Sequence, residues 1–392
     1  MSILIFNAGS STLKFRVYRA PAAGPCELLA AGMVSAFGPS AGFRWSIGTD
    51  RGEERVAAPD HGSAARHVID WLAAKRLEPV HATGHRVVHG GEEFVAPARL
   101  TDAALRAIEA LNPLAPLHNP VALEVIRATA ASMGARVPMV AVFDTAFHHD
   151  LPDYARAYAL PADWTRPHRI RRYGFHGIAH RYLYERCVAL AGGERARRVI
   201  TLQLGNGCSV AAIRDGRSVD TSMGYTPLEG LVMSSRCGDV DPGVLVRLLE
   251  HGLRPDALDR GLNRESGLLA LSGASSDMRE LLRHEAEGHE GARLAIETFC
   301  YRARKYIGAY AAALGGLDAV VFGGGIGEHA PEIRARICSG MEWCGVAVDV
   351  DANRGAIGRE TRISRPGGVG VYVVPVNEEL LIAEDVKRML NV

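Results

Sequence analysis

A chain of 392 residues exceeds the usual domain of roughly 100–200 residues, so two or three domains are expected, and its 47% hydrophobic content supplies a sizeable core. A net charge of +1 excludes both a basic field for nucleic acid and an acidic tail. No run approaches the ~18 apolar residues of a membrane span, the 7 cysteines form no C-x-x-C pair, and the opening run Ile3-Leu4-Ile5-Phe6 breaks at Asn7-Ala8-Gly9, unlike a signal peptide; a cytoplasmic protein with free thiols and no nucleic-acid or membrane partner is expected.

In chain order, residues 3–6 read as a strand, 7–11 as a turn, and 13–17 as a second strand in which Leu13, Phe15 and Val17 alternate with polar neighbours. An amphipathic helix is predicted over 64–75, and a second, capped by Thr101 or Asp102, runs to Leu111. Asn119-Pro120 reads as a cap and a first helical position ahead of a helix over 121–131. A strand over 139–143 runs into Asp144, and a boundary follows near 148–152. The opening pattern then recurs: a strand over 199–204, a turn at Gly205-Asn206-Gly207-Cys208-Ser209, and a strand to Ile213 closed by Asp215-Gly216. Asp241-Pro242 starts a helix over 244–250, a long helix covers 292–314, a strand covers 319–322, and a last helix covers 379–390. Two such openings predict two related α/β halves.

Three glycine-rich segments are suited to anions, because glycine lets backbone N–H groups converge. The first, Asn7 to Lys14, adds hydroxyls and one of only four lysines (Lys14, Lys75, Lys305, Lys387). It leads into a strand and no Gly-Lys pair exists, so it is not a P-loop. The second is Gln203-Leu204-Gly205-Asn206-Gly207. The third, Phe322-Gly323-Gly324-Gly325-Ile326-Gly327-Glu328-His329, follows a strand and precedes a helix opened by Pro331; Glu328 breaks a G-x-G-x-x-G fingerprint. Basic clusters lie at His85-Arg86-Val87-Val88-His89, Arg171-Arg172 with His176, and Arg236, and they fit carboxylate and phosphate recognition better than zinc. Asp144 and Glu378, each after an apolar run, are candidate magnesium ligands.

These segments together resemble the acetokinase family of short-chain carboxylate kinases. The resemblance spans the chain and rests on Asn7-Ala8-Gly9-Ser10-Ser11, His85 to Gly91, Pro116-Leu117-His118-Asn119-Pro120, Phe143-Asp144-Thr145-Ala146-Phe147-His148 and Arg172-Tyr173-Gly174-Phe175-His176-Gly177. Asp220 to Gly243, Gly325-Ile326-Gly327-Glu328 and Asn377-Glu378-Glu379-Leu380 complete it. It implies a duplicated α/β fold of the actin, hexokinase and Hsp70 (ribonuclease H-like) type with an active cleft between the domains. The N-terminal domain would cover 1–148, completed by a helix over 379–392, and the C-terminal domain 149–378. It also implies a homodimer and reversible transfer of phosphoryl from ATP to acetate, with Mg2+ (Mn2+ as an alternative) as cofactor.

Roles follow by position. The resemblance implies Asp144, His176 and Arg236 as catalytic residues and Arg86 as the substrate-binding arginine. Val88, Leu117, Phe175 and Pro227 would form the apolar pocket for the methyl group, and Asn7 and Glu378 the metal pair. Nucleotide contacts would come from Ser10, Lys14, Gln203, Leu204, Gly205, Asn206, Gly207, Asp277, Met278, Arg279, Gly325, Ile326, Gly327, Glu328 and His329. Four positions depart from the family pattern: Gln203 replaces a usual His, His329 a usual Asn, Thr12 a usual Ser, and Ser234-Ser235 a usual Gly-Thr. Propionate kinase is the alternative activity, with Val88 favouring acetate. A nucleotide-gated binding protein of the same fold would leave Arg86, His176 and Arg236 without a task.

Overall fold

The computed structural model describes residues 1–9, 11–192 and 196–391. They divide into two compact units, Met1–His149 with Asn377–Val392 and Asp150–Val376.

The first unit is built on a sheet of β1 (Ser2–Ala8), β2 (Thr12–Arg19), β3 (Glu27–Ser35), β4 (Gly38–Ile47), β5 (Asp50–Ala58), β6 (Val80–Val87), β7 (Ala98–Arg99) and β8 (Met139–Phe143), ordered β5-β4-β3-β2-β1-β6-β8-β7. β1 is central and buried from Ser2 to Asn7, antiparallel to β2 and parallel to β6. Burial on both faces accounts for its unbroken apolar run. On one face Leu4, Phe6, Phe15 and Phe43 pack with Val68 and Trp71 of the His61–Ala74 helix. On the other, the Glu378–Met389 helix approaches so closely that a Cβ on Gly84 would lie 2.8 Å from Ile382 and 2.9 Å from Val386.

The second unit holds β9 (Arg198–Leu204), β10 (Cys208–Arg214), β11 (Arg217–Thr221), β12 (Ala319–Gly323), β13 (Thr361–Arg362) and β14 (Gly370–Val373), ordered β11-β10-β9-β12-β14-β13. The Gly177–Ala191 helix packs on β9 and β12, and the Glu290–Leu314 helix on β10. β11-β10-β9-β12-β14 repeats β3-β2-β1-β6-β8: an antiparallel meander whose first strand is followed by two parallel ones. The duplication expected from the two openings is present.

Some local expectations change. Thr101 caps its helix, accepting from Ala104 N, and Asp241 caps the Pro242–Glu250 helix. Asn119, expected as a cap, is instead the first residue of the Asn119–Met133 helix; its buried amide exchanges hydrogen bonds with the backbone N–H and carbonyl of His89. The third glycine segment is itself a short helix, Gly324–His329, running directly off β12. Strands β3 to β5 were not anticipated. β5 is exposed and charge-rich, so no apolar alternation marks it.

Candidate active site

In the first unit, the parallel register Val87↔Phe143 ends β6 and β8 side by side, and Asp144 N donates to Val87 O. Arg86 therefore faces Asp144 although they are far apart in sequence. Its Nε and NH2 groups reach the two carboxylate oxygens at 3.1 and 2.5 Å, a bidentate pair with Asp144 fully buried. Arg86 NH1 also donates to Asn7 Oδ1 at 3.2 Å, and Asn7 Nδ2 donates to Glu378 Oε2 at 2.9 Å and to Glu379 Oε1 at 2.8 Å. Asn377 fixes the start of this helix: its Oδ1 accepts from Leu380 N, from Arg16 and from Tyr18. Lys14 stands opposite Asn7 in the β1–β2 register and is exposed.

Charge in this group is unbalanced toward the negative. Burial opposes the Arg86 charge, but Asp144, Glu378 and Glu379 outweigh it and hold the guanidinium pKa above its usual value. For Glu378, burial raises the carboxyl pKa; Arg86 and the Asn7 bond pull it down, while Asp144 and Glu379 push it further up. A buried carboxylate with surplus negative neighbours suits a divalent cation, and magnesium takes one or two protein oxygens. Asn7 and Glu378 thus fit such an ion.

In the second unit, His176 opens the Gly177–Ala191 helix in the left-handed conformation (φ 57°, ψ 25°), which is costly for a non-glycine residue. Its Nδ1 lies 2.9 Å from Ser209 Oγ, and Ser209 Oγ lies 2.7 Å from His180 Nε2. Arg236 makes one hydrogen bond among the described residues, to Pro227 O at 3.4 Å, and burial lowers its pKa, with Cys208 opposing. Gly207 lies between the two: a Cβ there would sit 3.2 Å from His176 Cε1, 3.4 Å from His176 Nε2 and 3.5 Å from Arg236 NH1. An imidazole edge and a guanidinium beside the same glycine suit an anion.

A cavity of about 550 Å³ adjoins this turn, a size ordinary for a small-molecule site. Of the residues expected at the nucleotide, it is lined by Gly205, Asn206, Asp277, Met278, Arg279, Gly325, Ile326 and His329. Asp277 caps the Met278–Ala286 helix and pairs with the Arg279 side chain, whose hydrogen bond lowers the Asp277 pKa. Ser234, noted in the sequence only as a departure from the family pattern, also lines it, as do Ser276, Leu282, Ala330 and Glu332, which were missed because no motif marks them. Leu204 and Gly327 are buried, and Gln203 Oε1 is buried with no hydrogen-bond partner among the described residues. Glu328 turns inward, its Oε1 accepting from Gly324 N at 2.9 Å and Val376 N at 3.0 Å. The helix is seated from behind by the fully buried Arg334, which donates to Gly327 O, Asn353 and Ala356 O, all at 2.8 Å. The apolar-pocket candidates fall on both units: buried Val88 and exposed Leu117 on the first, buried Phe175 and half-buried Pro227 on the second. Ser10 lies outside the described residues.

The model of the Acetokinase family matches residues 2–384. Acetate kinase of Solibacter usitatus is 48% identical, covering 100% of this chain and 98% of its own, and that of Chloroherpeton thalassium is 46% identical, covering 99% of each. Among solved structures, Porphyromonas gingivalis acetate kinase superposes with a TM-score of 0.92 at 40% identity, covering 99% of both chains. A propionate kinase from Francisella tularensis superposes at 0.90 with 37% identity, covering 98% of both. With the family model spanning nearly its whole length and relatives this similar over theirs, the chain belongs to the acetokinase family.

Proposed function

We propose that the protein is an acetate kinase, transferring the γ-phosphoryl group of ATP reversibly to acetate to give acetyl phosphate and ADP. The observation that carries this reading is the family membership, joined to the His176 imidazole edge and the Arg236 guanidinium that stand beside Gly207 in the second unit. Acetate is ionised at neutral pH, so activating the nucleophile is not the difficulty; bringing an anion up to a polyphosphate is. Arg86 holds the acetate carboxylate, with Asp144 orienting the guanidinium. His176 and Arg236 donate to the equatorial oxygens of the transferred group, where one arginine contributes roughly 10³–10⁵ in rate. Gly205, Asn206, Asp277, Met278, Arg279, Gly325, Ile326 and His329 hold the nucleotide. Asn7 and Glu378 hold Mg2+, which supplies charge neutralisation at the phosphates.

Val88, buried beside Arg86, limits the acyl chain, and an added methylene costs only ~1–3 kcal/mol in such a pocket; propionate is a slower substrate. The enzyme acts in the cytoplasm as a homodimer. The Pro242–Glu250 helix supports that assembly: none of its residues is buried, yet Val244, Val246, Leu248 and Leu249 are all exposed.

Incubation with Mg-ATP and acetate, propionate or butyrate, with hydroxylamine trapping of the acyl phosphate, tests the reading. Acetyl hydroxamate should form fastest. No acid-dependent product would reject a carboxylate kinase, and a larger kcat/KM with propionate would reject acetate as the preferred acceptor.

A further inference from the structure

Behind His176 runs a buried line of side chains to which the reaction assigns no task. Thr201 Oγ1 lies 2.7 Å from His180 Nδ1, His180 Nε2 lies 2.7 Å from Ser209 Oγ, and Ser209 Oγ lies 2.9 Å from His176 Nδ1. Thr201, His180 and Ser209 are each fully buried. Thr201 lies on β9, Ser209 on β10, His180 on the Gly177–Ala191 helix and His176 at its cap, so three elements converge on one line.

A hydroxyl has one proton and two acceptor lone pairs and a neutral imidazole has one N–H, so when Ser209 spends its proton within the line two ordered directions remain. In one, Thr201 donates to His180 Nδ1, His180 Nε2–H donates to Ser209, and Ser209 donates to His176 Nδ1. His176 then carries its proton on Nε2, on the edge beside Gly207 and Arg236. In the reverse direction His176 Nδ1–H donates to Ser209 and Nε2 presents a lone pair. A phosphoryl oxygen only accepts, so a lone pair there repels it. An imidazolium would also donate from Nε2, but it would place a second positive charge beside the Arg236 guanidinium in a half-buried setting, which is unfavourable.

We propose that Ser209 and His180 are positioning residues that set the tautomer of His176, so that a neutral imidazole presents Nε2–H to the transferred phosphoryl group. The inference rests on the reading of the His176–Arg236 position as the phosphoryl site. Donation then needs no proton taken up from solvent, and the strained left-handed backbone of His176 is held by a bond at the far side of its ring.

Nitrogen-15 imidazole spectra of the wild-type protein, alone and with Mg2+, ADP and acetate, should show His176 neutral with the proton on Nε2. Ser209→Ala should give mixed tautomers. Its kcat should fall about 10- to 100-fold, less than the roughly 10²–10³ for removing a donor outright, with KM for ATP and acetate nearly unchanged. An imidazolium or an Nδ1–H tautomer in the wild type would overturn the proposal, and so would an unaltered kcat and spectrum in a folded Ser209→Ala protein. Should that variant not fold, the wild-type spectrum alone decides. A wild-type protein with this tautomer but no phosphoryl transfer would overturn the underlying reading instead.

Discussion

His85 precedes Arg86 on β6 and His89 lies just beyond the end of that strand, and both are buried. Burial pushes the His85 pKa down to about 3 and that of His89 down to about 4. Both stay neutral in the folded state while the unfolded chain binds protons below about 6.5. Their contribution to stability is therefore present above that pH and lost progressively as pH falls toward the folded values. Between pH 7 and pH 5, His85 alone should cost ~2 kcal/mol of stability. Urea unfolding at the two pH values measures this, and His85→Asn should flatten the difference; an equal slope in that variant would show the loss arises elsewhere. At this scale the sequence displayed the ingredients but not their pairing. Arg86, Asp144, Asn7 and Glu378 stood out by type and neighbourhood, whereas the bidentate Arg86–Asp144 bond depends on two strands ending together. Glu328 was expected at the nucleotide, and nothing local indicates that its carboxylate turns back to Gly324 and Val376.

Elements were legible where period and punctuation agree. The strand–turn–strand openings, the helix caps at Thr101 and Asp241, and the long helix over 290–314 followed from local chemistry. The Gly324–His329 helix did not, since a glycine-rich run has poor helix propensity. Tertiary contacts hold it there. Gly324 has φ +75°, and a Cβ on it would lie 2.7 Å from Leu204 O at the end of β9. Gly324→Ala should therefore displace the wall that carries Gly325, Ile326 and His329. ADP affinity measured by calorimetry should fall at least about tenfold, given a substitution strained in both backbone and space. Wild-type affinity would show that the helix can shift without harm to the cavity.

At the scale of the whole molecule, the repeated opening announced a duplicated fold, and β3-β2-β1-β6-β8-β7 of the first sheet match the strand order of the second. Quaternary structure had no signature in motif or period; it is raised by the exposed apolar Pro242–Glu250 helix. Val246→Glu combined with Leu249→Glu should convert a sedimenting dimer to a monomer that stays folded by circular dichroism. A dimer that persists at low micromolar concentration would place the interface on another face.

The first unit is made from both ends of the chain, with the second unit inserted before residues 377–391 return to it. During synthesis the ribosome must therefore release the whole inserted body before β1 and β6 gain the helix that covers one of their faces. Until then the apolar side carrying Ile5 and Gly84 stays bare, and Asn7 has neither carboxylate partner. The inserted body can mature early, whereas the body begun first is finished last, leaving a delay in which chaperones would find their substrate.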